Sequence, residues 1–139
     1  MAGGVNYTLA NAQETSDTIE RAEQNGEVRM AYDSYTSGGT AGTIIYMFDK
    51  LPKGAVVMGI YLYCDWADAS STLDIGDGDD DNRYMDAIDT SSAVNGWQSL
   101  LTGGLGYTIG TNDDDDQIQL TTGGATVSGT VKMIIMYSV

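Results

Sequence analysis

Apolar and polar residues alternate along most of the chain, in short runs separated by turns rich in glycine. In the first run, EVRMAYDSY, the apolar residues Val28, Met30 and Tyr32 share one face, whereas Arg29 and Asp33 share the other. A period of two is typical of a β-strand, because successive side chains of a strand point to opposite faces. The pattern therefore predicts a chain built from short strands and turns.

The run AVVMGIYLYCDW, residues 55–66, predicts the central strand of the core. A strand this long with one wholly apolar side is typical of the middle of a sheet that packs on a core. We expect the apolar side to point inward. The inward residues are then Val56, Met58, Ile60, Leu62, Cys64 and Trp66, and the opposite face carries Ala55, Val57, Gly59, Tyr61, Tyr63 and Asp65.

Several later runs complete the set of strands. The segment QIQLTT, residues 117–122, alternates with Gln117, Gln119 and Thr121 on its outward side. Eight or so strands at nearly regular spacing, with hardly any helix signal, predict an all-β fold, namely an antiparallel β-sandwich of jelly-roll type. The inward residues of these runs are predicted to be Leu73, Ile75, Ile118, Leu120, Val127, Val131, Met133, Ile135 and Tyr137.

The first 26 residues differ from the rest of the chain. The segment NYTLANAQET is polar, has no regular pattern and predicts an extended arm, either a disordered terminus or a segment that reaches a neighbouring subunit. The segment SDTIERAEQNG predicts either a short helix, with Asp17 as N-cap and Gly26 as stop, or a strand that enters a hairpin turn at Asn25 and Gly26, which we favour. The chain is thus divided into an N-terminal arm or first hairpin segment over residues 1–26 and a β-sandwich domain over residues 27–139.

The net charge of −14 arises from sixteen aspartates and four glutamates against six lysines and arginines. Such a chain repels phosphate backbones and anionic lipid surfaces, so neither direct nucleic-acid binding nor membrane binding is expected. Thirteen of the aspartates lie between Asp65 and Asp116, which indicates either an acidic docking surface or a surface kept soluble by mutual repulsion. The first residues lack the pattern of a secretory signal, and we expect synthesis in a host cytoplasm.

The residue types of the chain also argue against several kinds of chemistry. The sequence contains no histidine and one cysteine, Cys64. Histidine is the commonest general acid or base near neutral pH and the commonest ligand of transition metals. Carboxylates or a lysine could still catalyse, and a glycosidase would need two carboxylates ~5–9.5 Å apart across a groove. We therefore expect no enzyme and no cofactor, and we expect Cys64 to be a small buried hydrophobic residue.

The acidic stretch DIGDGDDDNRYMDAID, residues 74–89, invites a test for calcium binding. An EF-hand loop requires oxygen ligands at positions 1, 3 and 5, glycine at position 6 and glutamate at position 12. Counting from Asp77 satisfies the first three positions, but Asn82 and Ile88 occupy positions 6 and 12. Counted from Asp113, the run NDDDDQ, residues 112–117, fails the same test at its fifth position, which is Gln117. The sequence predicts solvated corners between strands and no metal site, while an irregular calcium site built from both loops stays open.

Two stretches of the sequence resemble a known group of proteins. The first is LPKGAVVMGIYLYCDWADASSTLDIGDGDDDNRYMDA, from Leu51 to Ala87, and the second is NGEVRMAYDSYT, from Asn25 to Thr36. Together they resemble small virion structural proteins of tailed bacteriophages, most of all the capsid decoration or cement proteins with jelly-roll folds. This chain has more consecutive aspartates than is usual in that group.

The resemblance implies a non-enzymatic protein on the outer surface of a virion, where it stabilises the capsid by bridging neighbouring capsomers. The implied partners are the shell of the major capsid protein and further copies of this chain, with a homotrimer as the expected state. Outward apolar residues on the two longest strands are the candidate contact residues, unless a second sheet or a loop covers them. They are Tyr61, Tyr63, Ile134 and Met136. The alternative is a phage tail or adhesion β-module, in which calcium could assist.

Overall fold

The computed structural model describes residues 27–48, 51–110 and 116–139. The predicted arm over residues 1–26, with its alternative helix or hairpin, lies outside the described residues, as do the aspartates at 113–115. No helix in the described ranges is long and apolar enough to span a membrane. The described chain forms eight strands: β1 Val28–Gly39, β2 Ile44–Tyr46, β3 Val56–Cys64, β4 Thr72–Gly76, β5 Met85–Asp89, β6 Val94–Gln98, β7 Gln119–Gly123 and β8 Val127–Ser138.

The strands form two antiparallel sheets of four strands each. Sheet A has the order β1-β8-β3-β6 and sheet B has the order β2-β7-β4-β5. The predicted all-β sandwich is confirmed, and the strand order is compatible with a jelly roll. Because β1 pairs with β8 and β3 pairs with β8, the first and third strands flank the last one.

The core lies between the two sheets and consists of their inward side chains. Most of the inward residues predicted from alternation are buried, and burying a side chain of this size contributes about 1.5–3 kcal/mol. Tyr137 is half-buried and packs against the core. Cys64 is fully buried, and this burial raises the pKa of its thiol. The other confirmed inward residues are Ile60, Leu62, Trp66, Leu73, Ile75, Ile118, Leu120, Val127, Val131, Met133 and Ile135.

The first part of β3 departs from the predicted alternation. Val57 pairs with Tyr137 and Gly59 pairs with Met136, so Met58 is an extra residue without a partner on β8. Such a bulge places two consecutive residues opposite one and shifts the alternation on one side of it. The prediction that Val56 and Met58 point inward was wrong, since Val56 is half-buried and Met58 is 46% exposed. Ala55 and Val57, which were assigned to the opposite face, are fully buried instead.

Gln119 also differs from its predicted environment. It lies in an outward row of sheet B, where its neighbours are Tyr46 and Gly76. It is nevertheless only 5% exposed. The loop that follows β4 packs over this end of the sheet, and a Cβ placed on Gly76 would lie 2.1 Å from the Asp80 carbonyl oxygen. A loop therefore covers a position that alternation alone assigns to solvent.

In β1 the alternation is confirmed, but the apolar side faces outward. Val28, Met30 and Tyr32 share a face and are all more than half exposed. The opposite side carries Ala31 and Tyr35, which pack against the core. In β1, a small residue and an amphipathic residue thus pack against the core, while larger apolar residues lie on the surface.

Candidate functional site

The outward surface of sheet A is mostly aromatic and aliphatic. Its middle row contains one residue from each strand: Tyr32, Ile134, Tyr61 and Trp97. The strand register places a row on either side of it. We call this surface the tyrosine face, and its residues are Met30, Tyr32, Gly59, Tyr61, Tyr63, Asn95, Trp97, Lys132, Ile134 and Met136.

The side chains at the centre of the tyrosine face pack on one another. The rings of Tyr61 and Trp97 meet edge to face, with centroids 5.4 Å apart and an interplanar angle of 89°. Gly59 leaves room beside the Trp97 ring, since a Cβ there would already lie 3.4 Å from it. The Tyr61 hydroxyl donates a hydrogen bond to Oδ1 of Asn95. These contacts hold two large aromatic side chains in fixed orientations, so little side-chain entropy remains to be lost on binding.

A depression of about 220 Å³ opens in this face between the tyrosines of β1 and β3. Lys132 lies at its rim, and its ammonium is 5.5 Å from the centroid of the Tyr63 ring, within the range of a cation–π contact. Among the outward positions of the four strands, all of which the structure describes, Lys132 is the one charged side chain. The depression is lined by Tyr32, Tyr61, Tyr63, Asn95, Lys132, Met133 and Ile134.

The four contact residues proposed from the sequence, Tyr61, Tyr63, Ile134 and Met136, all belong to this surface. Their role in an interface stays a prediction. Tyr32, Trp97 and Met30 were not among the candidates, although their exposure exceeds half. The signal for Tyr32 and Met30 was present in the alternation of β1, but a single strand does not reveal which of its faces meets the core.

Sheet B presents a different outward surface. The row Ile44, Thr121 and Asp74 crosses it, and Thr72 pairs with Asp89 in the next row. Hydrogen bonds from the hydroxyl and amide of Ser91 lower the pKa of the exposed Asp89 carboxyl. This surface is therefore mixed and carries negative charge.

The loop between β4 and β5, residues 77–84, is an acidic corner built around one buried carboxylate. Asp77 is 1% exposed, and its Oδ1 accepts hydrogen bonds from the amides of Asp79 and Asp80 at 3.1 Å and 2.9 Å. Its Oδ2 accepts a hydrogen bond from Nε of Arg83 at 2.6 Å. The carboxylate contributes to raising the pKa of the Arg83 guanidinium. The corner is thus a closed turn whose exposed aspartates surround a neutralised ion pair.

The acidic corner is joined to Asp116, the last aspartate of the second acidic run. The Arg83 guanidinium stacks over the ring of Tyr107, with its central carbon 3.8 Å from the ring centroid. The Tyr107 hydroxyl donates to Oδ1 of Asp116 at 2.7 Å, and this hydrogen bond, more than its partial burial, raises the pKa of Tyr107 to about 12. The amide of Gly110 donates to the other oxygen of Asp116 at 3.1 Å.

The geometry of these contacts bears on calcium binding. Asp77, the first residue of the calcium-like spacing, already accepts hydrogen bonds from two amides and from Arg83. Within residues 27–48, 51–110 and 116–139, no group of three or more acidic or cysteine side chains could hold a metal ion. The described part of the acidic corner therefore acts as a structural turn.

No protein-family model matches the chain, and no curated protein matches it. Among solved structures, the fold is similar to a chain of the capsid asymmetric unit of cyanophage Pam1, with a TM-score of 0.62 and 21% identity over 82% of this chain and 86% of that chain. A chain of the acidic stable capsid structure of Helicobacter pylori bacteriophage KHP30 is less similar, with a TM-score of 0.47 and 16% identity over 81% of this chain and 94% of that chain. At such identities the likeness is one of fold.

Proposed function

We propose that this protein is a non-enzymatic structural component of a phage virion that decorates the outer surface of the capsid. It binds the shell of the major capsid protein, bridges neighbouring capsomers and so resists expansion of the head. The sequence resemblance to decoration proteins and the fold likeness to a chain of a cyanophage capsid support this proposal.

The observation that carries the proposal is the tyrosine face. Tyrosine, tryptophan and methionine are enriched in the centres of protein interfaces, where charged residues are depleted. Four strands at ~4.8 Å spacing, with three rows along ~17 Å of strand, give a face with a projected area on the order of 330 Å². This is under half of the ~800 Å² that each partner buries in an interface of standard size, so a single face provides a small contact. The contact residues are Tyr61, Tyr63, Ile134 and Met136, as expected from the sequence, together with Tyr32 and Trp97.

In this proposal the protein acts as a homotrimer, with residues 1–26 as an arm that reaches beyond its own domain. Three copies around one axis present three tyrosine faces together. Linked sites of this kind bind far more tightly than one site, provided that their geometry allows simultaneous contact. The trimer therefore suits a protein that must join several capsomers.

The test compares two exposed tyrosines on opposite sheets. Tyr32 is 62% exposed on the tyrosine face, and Tyr46 is 57% exposed on the outer surface of sheet B. We expect Tyr32→Ser to weaken binding to undecorated phage heads by about tenfold or more, as for an interface hot spot. Tyr46→Ser should bind like the parent, and both variants should melt close to it.

Two results would contradict the proposal. A parent chain that does not bind heads would remove the decoration function and favour a tail or adhesion module. Binding by the parent together with equal losses for both tyrosine variants would keep the function but remove the tyrosine face as its contact surface.

A further inference from the structure

Among the strands that the structure describes, four lie at sheet edges, and one of these is unlike the others. β1 has 12 residues, whereas β2 has 3 and β5 and β6 have 5 each. The pairing of β5 is also interrupted by a register shift, but β1 pairs with β8 over its whole length without one. Natural proteins protect edge strands by making them short, by bulges, or by proline and lysine, because a bare edge pairs with other chains. β1 contains neither proline nor lysine.

The unpaired backbone groups of β1 can be assigned from its register. The amide of Val139 donates to the Glu27 carbonyl, so the odd-numbered residues that follow in β1 face β8. The even-numbered residues therefore point their amides and carbonyls to the free edge. The Ser34 amide donates to its neighbour Asp33 at 2.8 Å. Within the described part of the chain, the amides of Val28, Met30 and Tyr32 have no partner.

We propose that the free edge of β1 receives a strand from the N-terminal arm of a neighbouring copy, which extends sheet A. This inference rests on the proposed oligomer and names the site that the arm occupies. Strand addition of this kind takes its affinity from backbone hydrogen bonds and its specificity from alternate side chains.

The sequence of the arm identifies the segment that suits the edge. The arm as a whole has no regular pattern, but Val5, Tyr7 and Leu9 are apolar, with Asn6 and Thr8 between them. Residues 1–13 carry no charged side chain in a chain whose net charge is −14. Laid against β1, the three apolar residues would continue the exposed stripe of that strand onto the incoming one.

The length and charge of the intervening chain favour a neighbouring copy over the same copy. A tight turn at residues 25–26 would place residues 17–24 against β1, and four of these eight are charged. Residues 14–26 span at most ~45 Å when extended, which exceeds the ~40 Å length of β1. The uncharged segment can therefore reach the edge of an adjacent subunit.

The test uses the full chain without phage heads. Met30→Pro removes an edge-facing amide while leaving the β1–β8 hydrogen bonds in place, and proline is tolerated at a strand edge. Met30→Ala removes the same side chain but keeps the amide. By light scattering, we expect the parent and Met30→Ala to be oligomeric at concentrations at which Met30→Pro is monomeric. Equal association of the two variants, or a monomeric parent, would overturn the proposal.

Hydrogen exchange of the parent identifies the occupant. We expect the amides of Met30, Tyr32 and Tyr7 to exchange at least tenfold more slowly in the oligomer than after dilution to monomer. Protection that does not depend on concentration would mean that the chain covers its own edge. Protection of Met30 and Tyr32 without Tyr7 would mean that another strand occupies the edge. Either result would overturn the assignment, and neither depends on whether the protein binds heads.

Discussion

The outward faces of the two sheets differ in chemistry although they belong to one sandwich. The middle row of sheet A is apolar from edge to edge, whereas the corresponding row of sheet B ends in Asp74. Both sheets bury the same kind of aliphatic residues inside, so the fold does not require aromatic residues outside. The excess on sheet A is therefore best explained by a contact beyond the fold, because contiguous exposed apolar surface is rare on monomers.

The positions of the carboxylates also favour sheet A over sheet B as a contact surface. Asp74 and Asp89 lie on the outer side of sheet B, and the acidic corner follows β4 of the same sheet. Burying an unpaired carboxylate costs several kcal/mol, on the order of the whole stability of a domain. The residues of the tyrosine face include one charge, Lys132, and Asp65 lies at its margin, where it accepts a hydrogen bond from the Tyr63 hydroxyl. The centre of this face can therefore be dehydrated at a much smaller cost. The distribution of charge thus favours sheet A over sheet B as the proposed contact surface.

The largest effect should come from the core that supports both faces. Leu62→Ala should lower the free energy of unfolding by about 2–5 kcal/mol, through lost burial and a cavity. Met58→Ala should cost less than about 1 kcal/mol, because the bulge turns this side chain toward solvent. Denaturant unfolding of both variants checks the register of β3. Equal losses would place Met58 inside and contradict the bulge.

The second effect concerns the corner beside sheet B. Asp77→Ala leaves Arg83 and two backbone amides without their acceptor, and we expect a loss of about 2–3 kcal/mol. Asp79→Ala, in the same loop but exposed, should change stability by less than about 0.5 kcal/mol. Thermal unfolding of the two variants distinguishes the contribution of the buried carboxylate to stability from that of its solvated neighbours. A comparable loss for Asp79→Ala would contradict the assignment of Asp77 as the carboxylate that holds the loop together.

A smaller effect is expected from the charge of the tyrosine face. Lys132→Glu should slow association with phage heads by roughly three- to tenfold and alter its dependence on salt, as charges at an interface rim do. Lys53→Glu makes the same charge change at an exposed residue before β3 and serves as the control. Association rates at two ionic strengths give the comparison. An equal change in both variants would indicate an effect of net charge alone.

The smallest effect is predicted for calcium. Asp77 is already bonded within the acidic corner, so millimolar calcium should shift the melting temperature by no more than about one degree. A calorimetric melt with and without calcium is sufficient. A rise of ten degrees that Asp79→Ala or Asp81→Ala abolishes would contradict this and would favour the adhesion module.

Alternation predicted the inward residues of β3 after its bulge, and those of β4, β7 and β8, because the inward face of each of these strands is largely apolar. It failed at Met58, since the extra residue is required by the pairing of β3 with β8 and leaves no local mark in the sequence. In β1 both faces carry apolar residues, and only the partner strand decides which one is buried. Tertiary pairing therefore overrides local pattern at these positions.

The acidic corner shows a different limit. The exposed aspartates were predicted correctly as a solvated connection between strands. The pairing of Asp77 with Arg83, and the stacking of Arg83 on Tyr107, follow no spacing rule of a helix or a strand. They arise because the loop closes on itself and a later segment packs against it. No local pattern in the sequence predicts such a contact.

The buried thiol of Cys64 provides an internal reporter of motion. It is the last residue of β3, an inner strand of sheet A, and it is the one cysteine of the chain. A thiol reagent can reach it only when the structure around it opens, locally or as a whole, so its labelling rate measures how often this part of the sandwich opens. The labelling rate can be compared between the free protein and the protein bound to phage heads. The ratio of the two rates would show how much longer a bound subunit stays closed.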